Sequence, residues 1–342
     1  MKSYKTYACY MLNDEIRLAS SSGGVFSALA AEVLSNNGVV YGVAMTSDCY
    51  GAEFIRVDDI QGLALLRGSK YLQAEMGETF KRVKKDLLTG KNVLFSGTAC
   101  QVNGLKKFLL RNYENLITVD VICHGVPSPG LWRRYAKYQE KKFGSKLERI
   151  NFRCKEDSWE DFGMKENEVY ISKDVDPYMQ MFLRDYCLRP SCYNCAAKKE
   201  KLSDLTIADF WGISRCAPSM NDGKGTSLVI VRTEKGSQIF AEVAQEFKVR
   251  EVSYAEGVKG NPSEYKSVPK PKEREAFFDD MRSMEFDELA KKYASYKIGS
   301  IKARVKRIVK RILLKVMRGD KRSFEMNYGL LFTFQNEIKR LR

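Results

Sequence analysis

Cys192 and Cys195 stand two residues apart in "RPSCYNCAAKKEK" (residues 189–201). Such a pair clamps a metal, forms a redox couple or packs as two small hydrophobes. Alone it supplies half of a four-thiolate site. Two more cysteines fall at the ends of expected strands: Cys100 follows "NVLFSG" in "GTACQ", and Cys123 closes "ITVDVIC". One helix and one strand fill the interval between them. In a right-handed βαβ unit both strand ends reach the same edge of the sheet, the edge at which α/β proteins bind ligands. The start of a helix beside Cys100 favours its thiolate. Four thiolates suit either structural zinc or a 4Fe–4S cluster. Zinc sites more often come as two Cys-x-x-Cys hairpins, and spacing alone leaves both metals open. Cys9, Cys49, Cys154, Cys187 and Cys216 read as packing residues, Cys187 least securely because it lies five residues before Cys192.

A second kind of chemistry is written in serine and glycine. "RLASSSGGVFSALA" sets Ser20, Ser21, Ser22, Gly23 and Gly24 before a helix. Hydroxyls, free N–H groups and the helix dipole make an anion seat suited to a pyrophosphate; the plainer reading is a serine cap with flexible glycines. "LLRGSKYLQ" repeats the pattern with Gly68, Ser69, Lys70 and Tyr71, or is a surface turn. Neither stretch is a Walker A loop or a G-x-G-x-x-G fingerprint, which disfavours a nucleotide triphosphatase and a standard Rossmann dehydrogenase. His124, the one histidine, follows Cys123 and either moves protons or is a hydrogen-bonded loop residue. Asp209 and Trp211 in "IADFWG" either wall a ligand cleft or are an exposed carboxylate and a core tryptophan.

The elements that would carry these residues alternate. "SSSGGVFSALAAEVLSNNGVVYGVAM" reads as loop, helix, turn and strand. "KNVLFSG", "QVNGLKKFLLRNY", "NLITVDVIC" and "SPGLWRRYAKYQEKKFG" then read as strand, helix, strand and helix. Alternation of this kind implies βαβ units and a parallel sheet. Near residue 150 the pattern loosens into antiparallel strands, followed by the strands "DLTIADFWGI" and "TSLVIVRT". The expected class is α/β, with a parallel-sheet βαβ core, a mixed α+β second half and a C-terminal basic helix. The expected domains are 1–145 for a ligand-binding α/β unit, 146–270 for a unit holding the Cys-x-x-Cys pair, and 271–342 for a linker and tail.

The chain has 342 residues, a formal charge of +15 and nine cysteines. Residues 301–342 hold 13 Lys and Arg against 3 acids, so the charge belongs mainly to the tail. No zinc-finger, RRM or KH signature accompanies it, and nucleic acid is not an expected partner. No segment has signal-peptide or membrane-spanning character, which points to the cytoplasm, where thiols stay reduced. In residues 301–318, Ile301, Val305, Ile308, Ile312 and Val316 form an apolar stripe beside eight basic residues. This helix is expected to lie on an anionic inner-membrane face, or else to dock on protein.

Taken in order, "SSSGGVFSALA", "LRGSKYLQ", "VLFSGTACQVNGL", "VDVICHGVPSP", "LRPSCYNC" and "LTIADFWGI" resemble the coenzyme F-420 hydrogenase/dehydrogenase beta-subunit family, from about residue 5 to about residue 245. The likeness is to the bacterial branch that accompanies surface-polysaccharide genes. It implies an oxidoreductase with FAD and one 4Fe–4S cluster held by Cys100, Cys123, Cys192 and Cys195. The SGG and GSKY stretches would bind flavin, with Gly97, Thr98, Asp209 and Trp211 beside them. In archaeal relatives the flavin exchanges a hydride with coenzyme F-420, which many bacteria of this branch do not make. Ala99 stands where the family usually has proline, and the family's frequent N-terminal ferredoxin-like segment is absent. A ferredoxin-like protein or a soluble hydride donor would then supply electrons, and a sugar nucleotide or lipid-linked glycan would be the substrate. The competing expectation is a non-catalytic, zinc-stabilised scaffold of glycan assembly.

Overall fold

The computed structural model describes residues 4–156 and 158–294. Its strands are β1 (Thr6–Met11), β2 (Val39–Met45), β3 (Ala52–Val57), β4 (Ala74–Glu75), β5 (Val93–Thr98), β6 (Leu116–Val121), β7 (Ile150–Cys154), β8 (Gly163–Glu166), β9 (Val169–Ser172), β10 (Leu205–Asp209), β11 (Ser227–Val231) and β12 (Phe247–Val252). Nine of them form one sheet in the order β12-β1-β11-β10-β6-β5-β2-β3-β4, and β7, β8 and β9 form a second.

The centre of the large sheet, β2-β5-β6-β10, is parallel. Parallel strands are covered on both faces, so they need apolar side chains in both directions. Val93 and Phe95 of β5 face one core with Val39 and Tyr41 of β2 and with Val83, Val102 and Leu105 from the helices Thr79–Leu88 and Ala99–Leu109. Leu94 and Val40, one residue out of phase, face the opposite core with Leu29 and Val33 of the helix Val25–Ser35. In register, Gly97 pairs with Asp120 and Thr98 with Val121, so β5 and β6 end together and place Cys100 and Cys123 at one edge.

Two expected boundaries move. β10 and β11, from the second half, extend the same sheet as β5 and β6, and β1 inserts antiparallel between β11 and β12. A division at residue 145 therefore cuts through one sheet. Residues up to Ala294 form a single compact unit. The helices Arg274–Ser283 and Phe286–Tyr293, grouped above with the tail, bury Phe277, Phe286, Leu289 and Tyr293 in a core with Trp132, Tyr135 and Tyr178. Residues 301–318, and with them the expected membrane-surface helix, lie outside the described residues. Among the described residues no helix is long and apolar enough to cross a membrane.

In that core the Tyr135 hydroxyl meets both Glu166 and Asp176, and Gln139 Nε2 donates to Glu166 Oε2 at 2.7 Å. One phenolic proton cannot serve two carboxylates. Burial, then the charge of Asp176, pushes Glu166 up to about 7, and burial pushes Asp176 up to about 6. A carboxyl whose folded pKa is raised holds its proton more tightly in the folded state. Its contribution is complete below the unfolded value and is lost as pH rises through the folded one. Urea midpoints should therefore fall from about pH 4 to about pH 7, and Glu166→Gln should flatten the decline. A midpoint that rises over this window, or a slope that Glu166→Gln leaves unchanged, would count against the shared-proton pair.

Candidate functional site

Three segments bring the four cysteines together. Cys100 opens the helix Ala99–Leu109, whose start is fixed by a capping box between Thr98 and Gln101. Thr98 Oγ1 lies 3.1 Å from Cys100 Sγ. Ala99, at the first helical position, fits where a proline would also fit. Cys123 lies two residues beyond β6. The Cys-x-x-Cys segment is sewn onto the chain that follows: Arg189 N donates to Val126 O at 2.8 Å and Ser128 N to Cys187 O at 2.9 Å. Asn103, on the Cys100 helix, donates to Glu200 O at 2.8 Å and accepts from Leu202 N at 3.0 Å, which ties that helix to the residues after Cys195.

As a result Cys100, Cys123, Cys192 and Cys195 line one recess of about 30 Å³, together with His124 and Lys198. All four are free thiols, Cys100 exposed and the others half-buried. Burial and the neighbouring cysteines push the Cys123 thiol up to about 12, and burial raises that of Cys192. Both would ionise more readily if positive charge entered the recess, as a metal centre would supply. Among the described residues no three His, Cys, Asp or Glu side chains are placed to hold a single metal ion. Cys9, Cys49, Cys154 and Cys187 are buried elsewhere, Cys187 in the aromatic core, and Cys216 is half-buried away from the recess.

The recess adjoins a cleft of about 1160 Å³. Of the candidate binding and proton-moving residues, Ser20, Ser21, Ser22, Gly24, Gly68, Ser69, Lys70, Tyr71, Gly97, Thr98, His124, Asp209 and Trp211 line this cleft, and Gly23 does not. The two serine–glycine stretches touch, since Ser21 Oγ accepts from Ser69 N at 2.8 Å and lies 3.0 Å from Ser69 Oγ. Gly24 caps the helix Val25–Ser35 at φ 93°, a left-handed value that glycine tolerates. Gly23 works behind the cleft. Its N–H donates to Ser227 Oγ, its carbonyl accepts from Met11 N, and a Cβ there would stand 2.4 Å from Cys9 O. The hydroxyl of Ser20 donates to Ile16 O and that of Ser22 to Thr226 O. Lys70 turns its ammonium onto Leu65 O and Arg67 O, and burial pulls its pKa down to about 7. Its ammonium thus braces the end of the short helix Leu63–Leu66 while the residue lines the cleft.

Tyr71 packs against Phe182, ring centroids 5.2 Å apart, and Trp211 stacks on Trp159 at 5.2 Å. His124 Nε2 lies 2.6 Å from Asp185 Oδ1. Two cations at this site are absent from the sequence reading. Arg153 is buried against Phe162 and pairs with Asp209 at 2.9 Å. Lys155 donates to the carbonyls of Arg17, Ser22 and Lys224, pinning the serine loop, and burial pulls its pKa down to about 7. They stand two residues apart, at and just past the end of β7, far in sequence from the loops they serve.

Two family models match the chain: the N-terminal part of the coenzyme F-420 hydrogenase/dehydrogenase beta subunit over residues 6–81, and its C-terminal part over residues 90–256. The four cysteines and both serine–glycine stretches lie within these spans. Among solved structures, the xenon-derivatised F-420-reducing NiFe hydrogenase complex from Methanosarcina barkeri is similar in fold, with a TM-score of 0.52 over 73% of this chain and 83% of that chain at 14% identity. No curated protein matches in sequence.

Proposed function

Because the chain belongs to the coenzyme F-420 hydrogenase/dehydrogenase beta-subunit family, we propose that it is an oxidoreductase using FAD and one 4Fe–4S cluster. The observation that carries this reading is adjacency: Cys100, Cys123, His124, Cys192 and Cys195 line both the recess and the cleft. Bound there, the flavin would supply two-electron and the cluster one-electron chemistry. The four cysteines would hold the cluster. Ser21, Ser22, Gly24 and Ser69 would seat the flavin pyrophosphate, with Thr98, Asp209 and Trp211 along the remaining wall. Since Asp185 engages His124 Nε2, Nδ1 is the nitrogen through which His124 would take up or release a proton.

A single zinc ion would need all four sulfurs about 2.3 Å from one point. A 4Fe–4S cluster instead takes one thiolate on each iron. A ferredoxin-like protein or soluble hydride donor is the proposed electron source. A sugar nucleotide or lipid-linked glycan is the proposed substrate, on the resemblance to the bacterial branch alone.

Anaerobic purification tests the reading. The protein should be yellow-brown, carry iron and sulfide in equal amounts at ~4 per chain, and release FAD on denaturation. A colourless protein holding stoichiometric zinc would support the scaffold instead.

A further inference from the structure

Lys198 shares the recess with the four cysteines. Its ammonium is held by two carbonyls, Cys123 O at 2.8 Å and Ser263 O at 2.9 Å. These bonds fix its position but do not neutralise it, and no ion pair to a carboxylate is found for it among the described residues. Lys201, three residues on, differs: it pairs with Glu264, as does Arg232. A half-buried cation without a carboxylate is costly unless an anion stands beside it. Four thiolates with a cluster form such an anion, and it gains a further negative charge on reduction.

Resting on the cluster reading above, we propose that Lys198 is a positioning residue whose fixed positive charge sets the reduction potential of the cluster, by favouring the more negative, reduced state. Cluster potentials respond to net charge, hydrogen bonding and exposure, and Lys198 is the cation that the fold holds at this recess without a carboxylate partner. Lys198 is not a ligand, so its removal should leave the metal in place.

The experiment compares the wild-type chain with Lys198→Met and Lys198→Arg, each reconstituted anaerobically. Iron and sulfide are measured first, and the cluster midpoint is then followed by redox titration with electron paramagnetic resonance. All three should carry equal iron. At the wild-type midpoint, Lys198→Met should show about a tenfold smaller reduced-to-oxidised ratio, a downward shift of ~59 mV for one electron. Lys198→Arg, which keeps the charge, should stay close to wild type. An unmoved midpoint in a fully loaded Lys198→Met protein overturns this inference and leaves the cluster reading standing. So does an equal iron loss in both variants, which would make Lys198 a brace for the Cys123 loop. A wild-type chain that takes up no iron overturns both.

Discussion

Replacing Cys192 by alanine is expected to strip most of the iron and sulfide from the protein. Cys192 sits in the turn Pro190–Asn194, half-buried in the recess and facing the other three thiols. A 4Fe–4S cluster uses one thiolate per iron, so loss of one exposes an iron to solvent and oxidant. The vacated position has no obvious substitute. Among the recess residues His124 is the other candidate donor, and it is held by Asp185. Retained iron should fall to a small fraction of wild type, and the broad cluster absorption with it. Cys49→Ala is the matching control. Cys49 is buried and does not line the recess, and its backbone carbonyl accepts from Trp132 Nε1 at 2.9 Å. That bond survives truncation to alanine, so iron content should hold. Equal iron in the two variants would show that these cysteines do not hold the metal.

The second large effect is expected at Ser21. Its hydroxyl joins the two serine–glycine loops at the cleft wall. Ser21→Asp places a carboxylate where the proposed pyrophosphate is seated. At an effective dielectric near that of a protein surface, two like charges close together repel by up to ~4 kcal/mol. Half of that already lowers affinity more than tenfold. Flavin released from the purified variant should drop to near zero while the far-ultraviolet dichroism persists, and Ser21→Ala should lose much less. Aspartate at Gly24 would be a poorer test. That residue is left-handed, and a Cβ there would stand 2.7 Å from Met11 Sδ, so lost flavin would be mixed with local strain. Full flavin content in a folded Ser21→Asp protein would move the phosphate seat elsewhere.

How far the sequence foretold this arrangement depends on the range of the forces involved. The parallel centre was readable because each strand and helix of a βαβ unit carries its own periodicity, and the handedness rule then puts Cys100 and Cys123 at one edge. The recess follows from that geometry. Other features depend on partners distant in the chain. β1 pairs with residues near 228 and 250, and nothing local in "TYACYM" announces either neighbour. Gly23 looked like part of a phosphate loop because glycine beside serine at a helix start usually is. Its actual constraint is the strand backbone pressed against it. Lys70 looked like a donor for the ligand; it lines the cleft, and its ammonium also bonds the carbonyls of Leu65 and Arg67. Arg153 and Lys155 were invisible as site residues, since their partners, Asp209 and Ser22, lie in other parts of the chain. The helices after residue 273 were hidden by the polar run before them. Only the buried aromatic face of Phe277, Phe286 and Tyr293 marks them as part of the body.

The placement of β1 between β11 and β12 has a consequence for biosynthesis. The first strand leaves the ribosome early, yet both of its neighbours are encoded more than two hundred residues later. At ordinary elongation rates of about 5–20 residues per second, the delay is on the order of 10–40 s. Throughout it β1 has two bare edges, a state that invites pairing with other chains. Gly23 has only half of its anchorage, because Ser227 does not yet exist to receive its N–H. Cys100, Cys123, Cys192 and Cys195 have all emerged before then. A nascent chain thus presents its full set of thiols while the serine loop still lacks its seat on β11. Loading of the proposed cluster during translation would precede completion of the proposed flavin site, and a ribosome-bound chaperone would have its greatest value in covering the waiting strand.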